Sequence, residues 1–492
     1  MKTPRPYQTT ARHWLNRQLN QGNHPALVMP AGTGKTYVAT LVTADRILLK
    51  KRLLVLCGTE EIFEQWQLEF SENNIDFGYI NPEGIIGRNK KVYVCMWLSL
   101  FNILVSLPEK FVMSFDEIIT DETHHSSSTT LEGIYNHFDH CQRVGLTATL
   151  YRMDNKPLGK YYNVMFEPIT QSTAIKQGFL CEPIPIVPQE YKDHVPEVGQ
   201  VVNKKEQREI IQDKKIIGDM IQVYKDVFDG ALCMVACSGY KHAVLVSKMY
   251  RDQGWKVEHI HGNMNKTDRR IIIRKARQGK INILCTYAVG TEGLDIKEIM
   301  GVIWMRLTES LTVWIQLNMR AARVLGKKKN YILIDPMGNL LLHGRPDLDR
   351  NWSLETDYKP GQDVPDAPQS QICPVCGVSN SIDNSTCWIC KYDFNTKLDA
   401  EGLPVAGRKR KLPKMIDGEL VFLDNKFMEG EDGTDKDIDN MDNNDYTMGD
   451  NENTGENTNS IELTKIQKVE ILSRDLTGLK SKTKFKEGLK WL

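Results

Sequence analysis

The sequence has no long hydrophobic run, no net charge and no even set of cysteines, and each lack removes a class of protein. A membrane-spanning helix needs about 18–20 consecutive apolar residues, and nothing in the 492 residues approaches that. The opening residues, Met1-Lys2-Thr3-Pro4-Arg5-Pro6, carry no apolar core of a leader peptide, so export is not expected. No segment recurs at the period of a solenoid array. The 63 Lys+Arg offset the 63 Asp+Glu, and a zero total argues, at first sight, against a nucleic-acid partner. What is present is ordinary: 41% hydrophobic and 26% charged residues describe a globular chain long enough for two to four packed domains.

Cysteine usage divides in two. Seven of the eleven cysteines (57, 95, 141, 181, 233, 237 and 285) stand singly, mostly in apolar runs, where a thiol serves as a small core residue. The other four form Cys373-Pro374-Val375-Cys376 and Cys387-Trp388-Ile389-Cys390, ten residues apart. Two CxxC pairs at that spacing offer four thiolates to one tetrahedral Zn²⁺. Vicinal disulfides or a redox pair are the alternatives, but no thioredoxin-like pattern surrounds either pair. Zinc thiolates imply a reducing, cytoplasmic setting. Trp388, Tyr392 and Phe394 could stack on bases or could be the module's only core.

From 25 to about 165, apolar runs such as Ala26–Pro30, Arg52–Gly58 and Lys91–Trp97 alternate with amphipathic stretches, and the rhythm restarts at 231. That alternation predicts an α/β chain with two tandem parallel-sheet domains. The boundaries expected are 1–165 for the first domain, 166–209 for a proline-bearing connection and 210–356 for the second domain. A linker over 357–371, a zinc module over 372–396 and a basic connector over 397–423 follow. The segment 424–462 is acidic and expected to be disordered, and 463–492 is a basic tail.

Ala31-Gly32-Thr33-Gly34-Lys35-Thr36 follows an apolar strand and opens a helix, the setting of a phosphate loop. Its glycines let backbone N–H groups wrap a phosphate, Lys35 reaches the β/γ-phosphates and Thr36 ligates Mg²⁺. The strict pattern asks for glycine at 29, where this chain has Met29. A second strand ends in Asp121-Glu122-Thr123-His124. In such a sheet one acid holds Mg²⁺ and its neighbour polarises the attacking water. His259 and His261 share a strand face as a possible metal pair, for which a structural role is favoured.

These motifs, with Thr147-Ala148-Thr149 and Gln316-Leu317-Asn318-Met319-Arg320-Ala321-Ala322-Arg323, fall in the order found in superfamily 2 DExH helicases. Arg5-Pro6-Tyr7-Gln8 is similar to that family's adenine-contacting element, and Val289 to Ile296 resembles its motif V. Asp335 to Asn339, His343 to Pro346 and Asn351 to Leu354 look like the tail of XPB-type helicases of phages and bacteria. The resemblance implies two RecA-like domains that bind ATP and Mg²⁺ between them. Gln8 would read the adenine edge, and Gly293 and Asp295 would approach the ribose. Asp121 would hold Mg²⁺ and Glu122 would activate water. Gln316, Arg320 and Arg323 would reach the γ-phosphate from the second domain. His124, Thr147 and Thr149 would couple hydrolysis to nucleic acid.

The expected protein is thus an ATP-dependent helicase or translocase acting on single-stranded or branched DNA, of 3′-to-5′ polarity by resemblance. It would serve replication, recombination or repair in a bacterial cell or phage-infected host, with replication or recombination proteins as further partners and no membrane. Alternatives are an RNA helicase, a non-unwinding motor of a restriction-type complex, or a nucleic-acid adaptor with an inactive ATPase fold. The neutral total proves to be an average. Residues 424–462 hold 13 acids and 2 lysines, the tail 8 basic residues and 3 acids, which leaves 1–423 with a net charge of about +6. A basic motor with an acidic counterweight is compatible with DNA.

Overall fold

The computed structural model describes residues 3–187 and 214–357 apart from 88, 126–128, 152–156, 263 and 288–293, together with 370–373, 379–381, 384–387, 391–395, 414–416, 419–422 and 467–468. The acidic segment 424–462, residues 397–413 of the connector, and Cys376 and Cys390 lie outside the described residues. Among those described, no helix is long and apolar enough to cross a membrane.

The first sheet has eight strands: β1 (Pro25–Val28), β2 (Leu53–Cys57), β3 (Phe77–Asn81), β4 (Gly84–Ile86), β5 (Val92–Met96), β6 (Glu117–Thr120), β7 (Gln142–Thr147) and β8 (Val164–Phe166). Their order is β4-β3-β5-β2-β6-β7-β1-β8, parallel throughout except for the β3–β4 hairpin. β1, β2 and β6 are buried along their whole length, which is why they read as unbroken apolar runs rather than alternating ones. This order sets β6, β7 and β1 side by side, with Val28 opposite Thr147 and Thr120 opposite Gly145. Three segments far apart in sequence therefore leave the sheet at one edge.

The second sheet contains β9 (Glu182–Ile186), β10 (Cys233–Cys237), β11 (Val257–His261), β12 (Ile283–Tyr287), β13 (Gly301–Met305) and β14 (Asn330–Ile334). Its order is β11-β12-β10-β13-β14-β9, all parallel. β9 corrects the expected connection over 166–209: part of it is an edge strand of the second domain. Its prolines disguise it. Glu182 N–H donates to Lys329 O at 2.8 Å, so the alternate residues Pro183 and Pro185 direct their missing donors away from β14, the one arrangement a sheet tolerates.

The two domains share a buried apolar cluster that contains Ala31 of the phosphate loop, Leu180, and Ala321 and Ala322 of the second domain. Beyond the second sheet the chain returns to the first domain: Gly159 N–H donates to Leu354 O at 2.8 Å, and Trp352 packs on Tyr151 with ring centroids 5.6 Å apart.

Candidate nucleotide site between the domains

The phosphate loop leaves β1 and is held from behind. Gly32 and Gly34 have φ of 88° and 90°, a region open to glycine at little cost. A Cβ on Gly34 would sit 2.6 Å from Gln8 Nε2. Thr33 Oγ1 donates to Pro30 O at 2.7 Å, while Thr33 O accepts from Tyr7 OH at 2.8 Å and from Gln8 Nε2 at 2.9 Å. Gln8 Oε1 accepts from Arg5 N–H at 2.9 Å. In this structure Gln8 thus clamps the loop. Position 29 needs no left-handed backbone, so methionine replaces glycine without strain. Met29 is fully buried, and its carbonyl accepts from Lys35 Nζ at 3.2 Å. Thr36 Oγ1 accepts from Gln65 Nε2 at 3.4 Å.

Asp121 Oδ1 accepts from Glu122 N–H and Oδ2 from Trp66 Nε1, both at 2.9 Å. Glu122 itself has φ 48°, an uncommon conformation for a side-chain-bearing residue and one that clusters at functional sites. Burial, then the Glu122 charge, push the Asp121 carboxyl up to about 7, against the pull of Lys35. Burial holds the Lys35 ammonium below its ordinary value, with Arg320 and Arg323 acting in the same direction and Glu122 and Asp121 opposing. All five charges therefore act on one another across one small space.

His124 is buried, with Nδ1 3.4 Å from Glu122 Oε2 and 3.5 Å from Thr147 Oγ1. Thr147 Oγ1 donates to Thr149 O at 2.6 Å. The imidazole thus lies between the acid expected to activate water and the Thr147 turn. The Thr149 hydroxyl is buried without a hydrogen-bond partner among the described residues.

The second domain supplies the helix Leu311–Ala321, whose start is capped by Ser310 Oγ accepting from Val313 N–H at 3.4 Å. Arg320 is buried and donates through Nη1 to Leu294 O at 3.2 Å. Arg323 pairs with the Asp295 carboxylate. Asp295, expected at the ribose, here orients the arginine. Gln316 lies one helical turn before Arg320, and both polar atoms of its buried amide lack a hydrogen-bond partner among the described residues. Such groups are rare and suit a site that a ligand completes. Met319 lies one position before Arg320, and its Sδ accepts from Gln171 Nε2 at 3.1 Å. Gly293 lies outside the described residues.

These elements enclose a cleft of about 480 Å³, in the range of small-molecule sites. Gly32, Lys35, Thr36, Asp121 and Glu122 line one wall, and Asp295, Arg320 and Arg323 the other. The residues present fit Mg²⁺ and a nucleotide phosphate chain: a hydroxyl and a carboxylate for the metal, and three cations for the phosphates.

Several contributors carried no signal in the sequence. Phe179 lines the cleft under the Arg5 guanidinium, 4.0 Å from the ring centroid. Lys328 is buried and donates through Nζ to the carbonyls of Ile299 at 2.5 Å, Ala321 at 2.6 Å and Arg323 at 3.2 Å. It thereby fixes the end of the arginine-bearing helix. His259 and His261 stack at 6.0 Å beside Tyr240, and no group of three metal-ligating side chains occurs among the described residues. In the cysteine module, Cys373 and Cys387 are fully buried, and Asn380 Nδ2 donates to Cys387 Sγ at 3.5 Å. Tyr392 and Phe394 pack against the second domain's apolar core, as core residues do.

Residues 1–152 match the family model of the type III restriction enzyme, res subunit, and residues 215–325 that of the helicase conserved C-terminal domain. The chain is 25% identical over 411 residues to a 51.5 kDa protein of a Lactococcus phage (isolate 7-9), covering 81% of this chain and 84% of that protein. It is 26% identical over 367 residues to the putative mitochondrial ATP-dependent helicase irc3 of Schizosaccharomyces pombe, covering 70% of this chain and 59% of that protein. Among solved structures, a fragment of a putative HsdR subunit of a type I restriction enzyme from Vibrio vulnificus superposes with a TM-score of 0.55 at 20% identity, covering 68% of this chain and 64% of that one. The type ISP restriction-modification enzyme LlaBIII bound to DNA does so with 0.50 at 16% identity, covering 68% and 28%. The chain thus spans most of the phage protein but less than two thirds of the other three.

Proposed function

We propose that this chain, a two-domain helicase core of superfamily 2, is an ATP-driven motor on DNA that unwinds or remodels branched structures during replication, recombination or repair. The observation that carries the reading is the cleft itself, where Lys35, Asp121 and Glu122 of one domain face Arg320 and Arg323 of the other. Mg²⁺ held there would neutralise charge on the transferring phosphoryl group. Thr36 and Asp121 would hold the metal, Glu122 would orient and deprotonate the attacking water, and Lys35 would bind the phosphates. Arg320 and Arg323 would stabilise charge that grows as the phosphoryl group leaves. Because the arginines arrive from the second domain, hydrolysis requires a closed cleft. Opening and closing is then the stroke, and His124, joined to both Glu122 and Thr147, is placed to link it to the strand. Polarity of 3′ to 5′ follows only from the resemblance in motif order.

DNA rather than RNA is supported by the restriction-enzyme family model and by the DNA-bound enzyme of like fold. A motor that translocates without unwinding, as part of a restriction-type assembly, is the second reading, favoured by the same two likenesses. For the cysteine module we propose one Zn²⁺ on Cys373, Cys376, Cys387 and Cys390. Two of these thiols are buried, one takes an amide donor, and Lys391, just after the second pair, adopts φ 59°. ATP hydrolysis measured in parallel with single-stranded DNA, duplex, fork and RNA tests the account. Stimulation by DNA, strongest with the fork, is expected; stimulation by RNA alone would reject it. A strand-displacement assay on the fork separates the unwinding motor from the non-unwinding one.

A further inference from the structure

The helix Glu60–Glu72 touches both metal-site residues on one side and the other domain on the next. Its start is fixed by Thr59 Oγ1, which accepts from Ile62 N–H at 3.3 Å. Trp66, fully buried, donates through Nε1 to Asp121 Oδ2 at 2.9 Å. Gln65 Nε2 donates to Thr36 Oγ1 at 3.4 Å. The same helix presents Glu60, Glu61 and Glu64 to the second domain's helix Lys266–Arg277. There Lys266 pairs with Glu60, Arg269 with Glu61 at 3.1 Å, and Arg270 with Glu64. Three acids on one helix thus meet three bases on the other, one to one. Individually such surface pairs are weak and salt-screened, but all three form only when the domains are together, so the helix experiences closure directly.

We propose that this helix senses domain closure and transmits it to the metal site, with Trp66 the positioning residue for the Asp121 carboxylate. The proposal rests on the reading of the cleft as an ATP–Mg²⁺ site. The physical route is short. Asp121 has two oxygens; the indole N–H engages one and the Glu122 N–H the other, so a displacement of the helix alters the direction in which the carboxylate faces Thr36. When the ion pairs form, the helix is held where Trp66 and Gln65 both reach their partners. When they break, the two hydrogen bonds to the Mg²⁺ ligands loosen together.

Affinity for a fluorescent ATP analogue, measured across a Mg²⁺ titration and in EDTA, tests this without relying on turnover. Trp66→Phe keeps an aromatic ring but loses the donor. It should raise the half-saturating Mg²⁺ concentration about tenfold or more, the scale on which hydrogen bonds to metal ligands act, while affinity in EDTA stays unchanged. The surface variant Glu60→Lys/Glu61→Lys/Glu64→Lys leaves the core intact and should shift the Mg²⁺ dependence in the same direction. Adding Lys266→Glu/Arg269→Glu/Arg270→Glu should restore it, and the restoration should fail in the Trp66→Phe background. Unshifted Mg²⁺ dependence in either single set would overturn the proposal. Asp121→Ala is the control: if it binds Mg²⁺-nucleotide like wild type, the site reading itself falls, whatever Trp66 does.

Discussion

Trp352 Nε1 donates to Glu167 Oε1 at 3.2 Å, joining the segment beyond the second domain to the end of the first. Burial pushes the Glu167 carboxyl up to about 7; the indole hydrogen bond opposes that shift and the Asp349 charge adds to it. The folded chain therefore keeps a proton that the unfolded chain gives up at ordinary carboxylate pH. Stability falls as pH rises from about 4.5 to about 7 and is level above it. Glu167→Gln keeps an oxygen acceptor for Trp352 and removes the charge. It should stabilise the protein at pH 8 by on the order of 2 kcal/mol and change little at pH 5. Urea midpoints of the first unfolding transition at the two pH values check this; an equal effect at both would contradict it.

Arg46 and Glu117 form a buried ion pair between the helix that follows the phosphate loop and β6, with Arg46 Nε donating at 2.7 Å. Arg46 Nη1 also donates to Asn20 Oδ1 at 2.6 Å. Glu117→Ala leaves a buried guanidinium short of its partner and should cost about 3–5 kcal/mol. Arg46→Met with Glu117→Leu should cost far less, because both charges go together. Thermal or denaturant unfolding of the single and double variants decides the matter.

Arg320→Ala and Arg323→Ala should each lower kcat by about a thousandfold with ATP affinity changed only severalfold. Both arginines lie across the cleft from the phosphate loop, and on the proposed reading they would act on charge that develops during transfer. A variant that lost binding and kept kcat would place its arginine in ground-state recognition instead.

Wild-type protein should carry about one Zn²⁺ per chain, and Cys387→Ser should lose it. Because the module packs on the second domain and none of its described residues lines the cleft, basal ATP hydrolysis with Mg²⁺ restored should survive zinc removal. Metal analysis and the hydrolysis rate of the stripped protein measure the two halves of that statement. Loss of all hydrolysis would tie the module to the motor's fold.

What was legible in the sequence is what local spacing encodes. The buried strands betrayed themselves as apolar runs, and the phosphate loop, the Asp121-Glu122 pair and the Gln316-to-Arg323 motif are each contained within a few residues. Met29 looked like a departure because a pattern compares residue types, whereas the backbone demands glycine only where φ is positive, at Gly32 and Gly34. In sequence β9 reads as a connection because prolines usually signal one, and only its place at the sheet edge makes them harmless. Lys328 sits in a Lys-rich run, Gly326 to Lys329, indistinguishable in sequence from a solvated charge cluster. Trp66 and Asp121 are 55 residues apart, and the pairs between Glu60, Glu61 and Glu64 and the second domain cross more than 200. Contacts of that range are products of the folded arrangement and leave no periodicity to read.

The most direct test of the central claim is the steady-state rate of ATP hydrolysis by the wild type and by Lys35→Ala, each with and without single-stranded DNA. The account predicts DNA-stimulated hydrolysis in the wild type and none above background in the variant, at unchanged thermal stability. Hydrolysis by Lys35→Ala at the wild-type rate, or a wild type that cleaves no ATP with any nucleic acid, would contradict it.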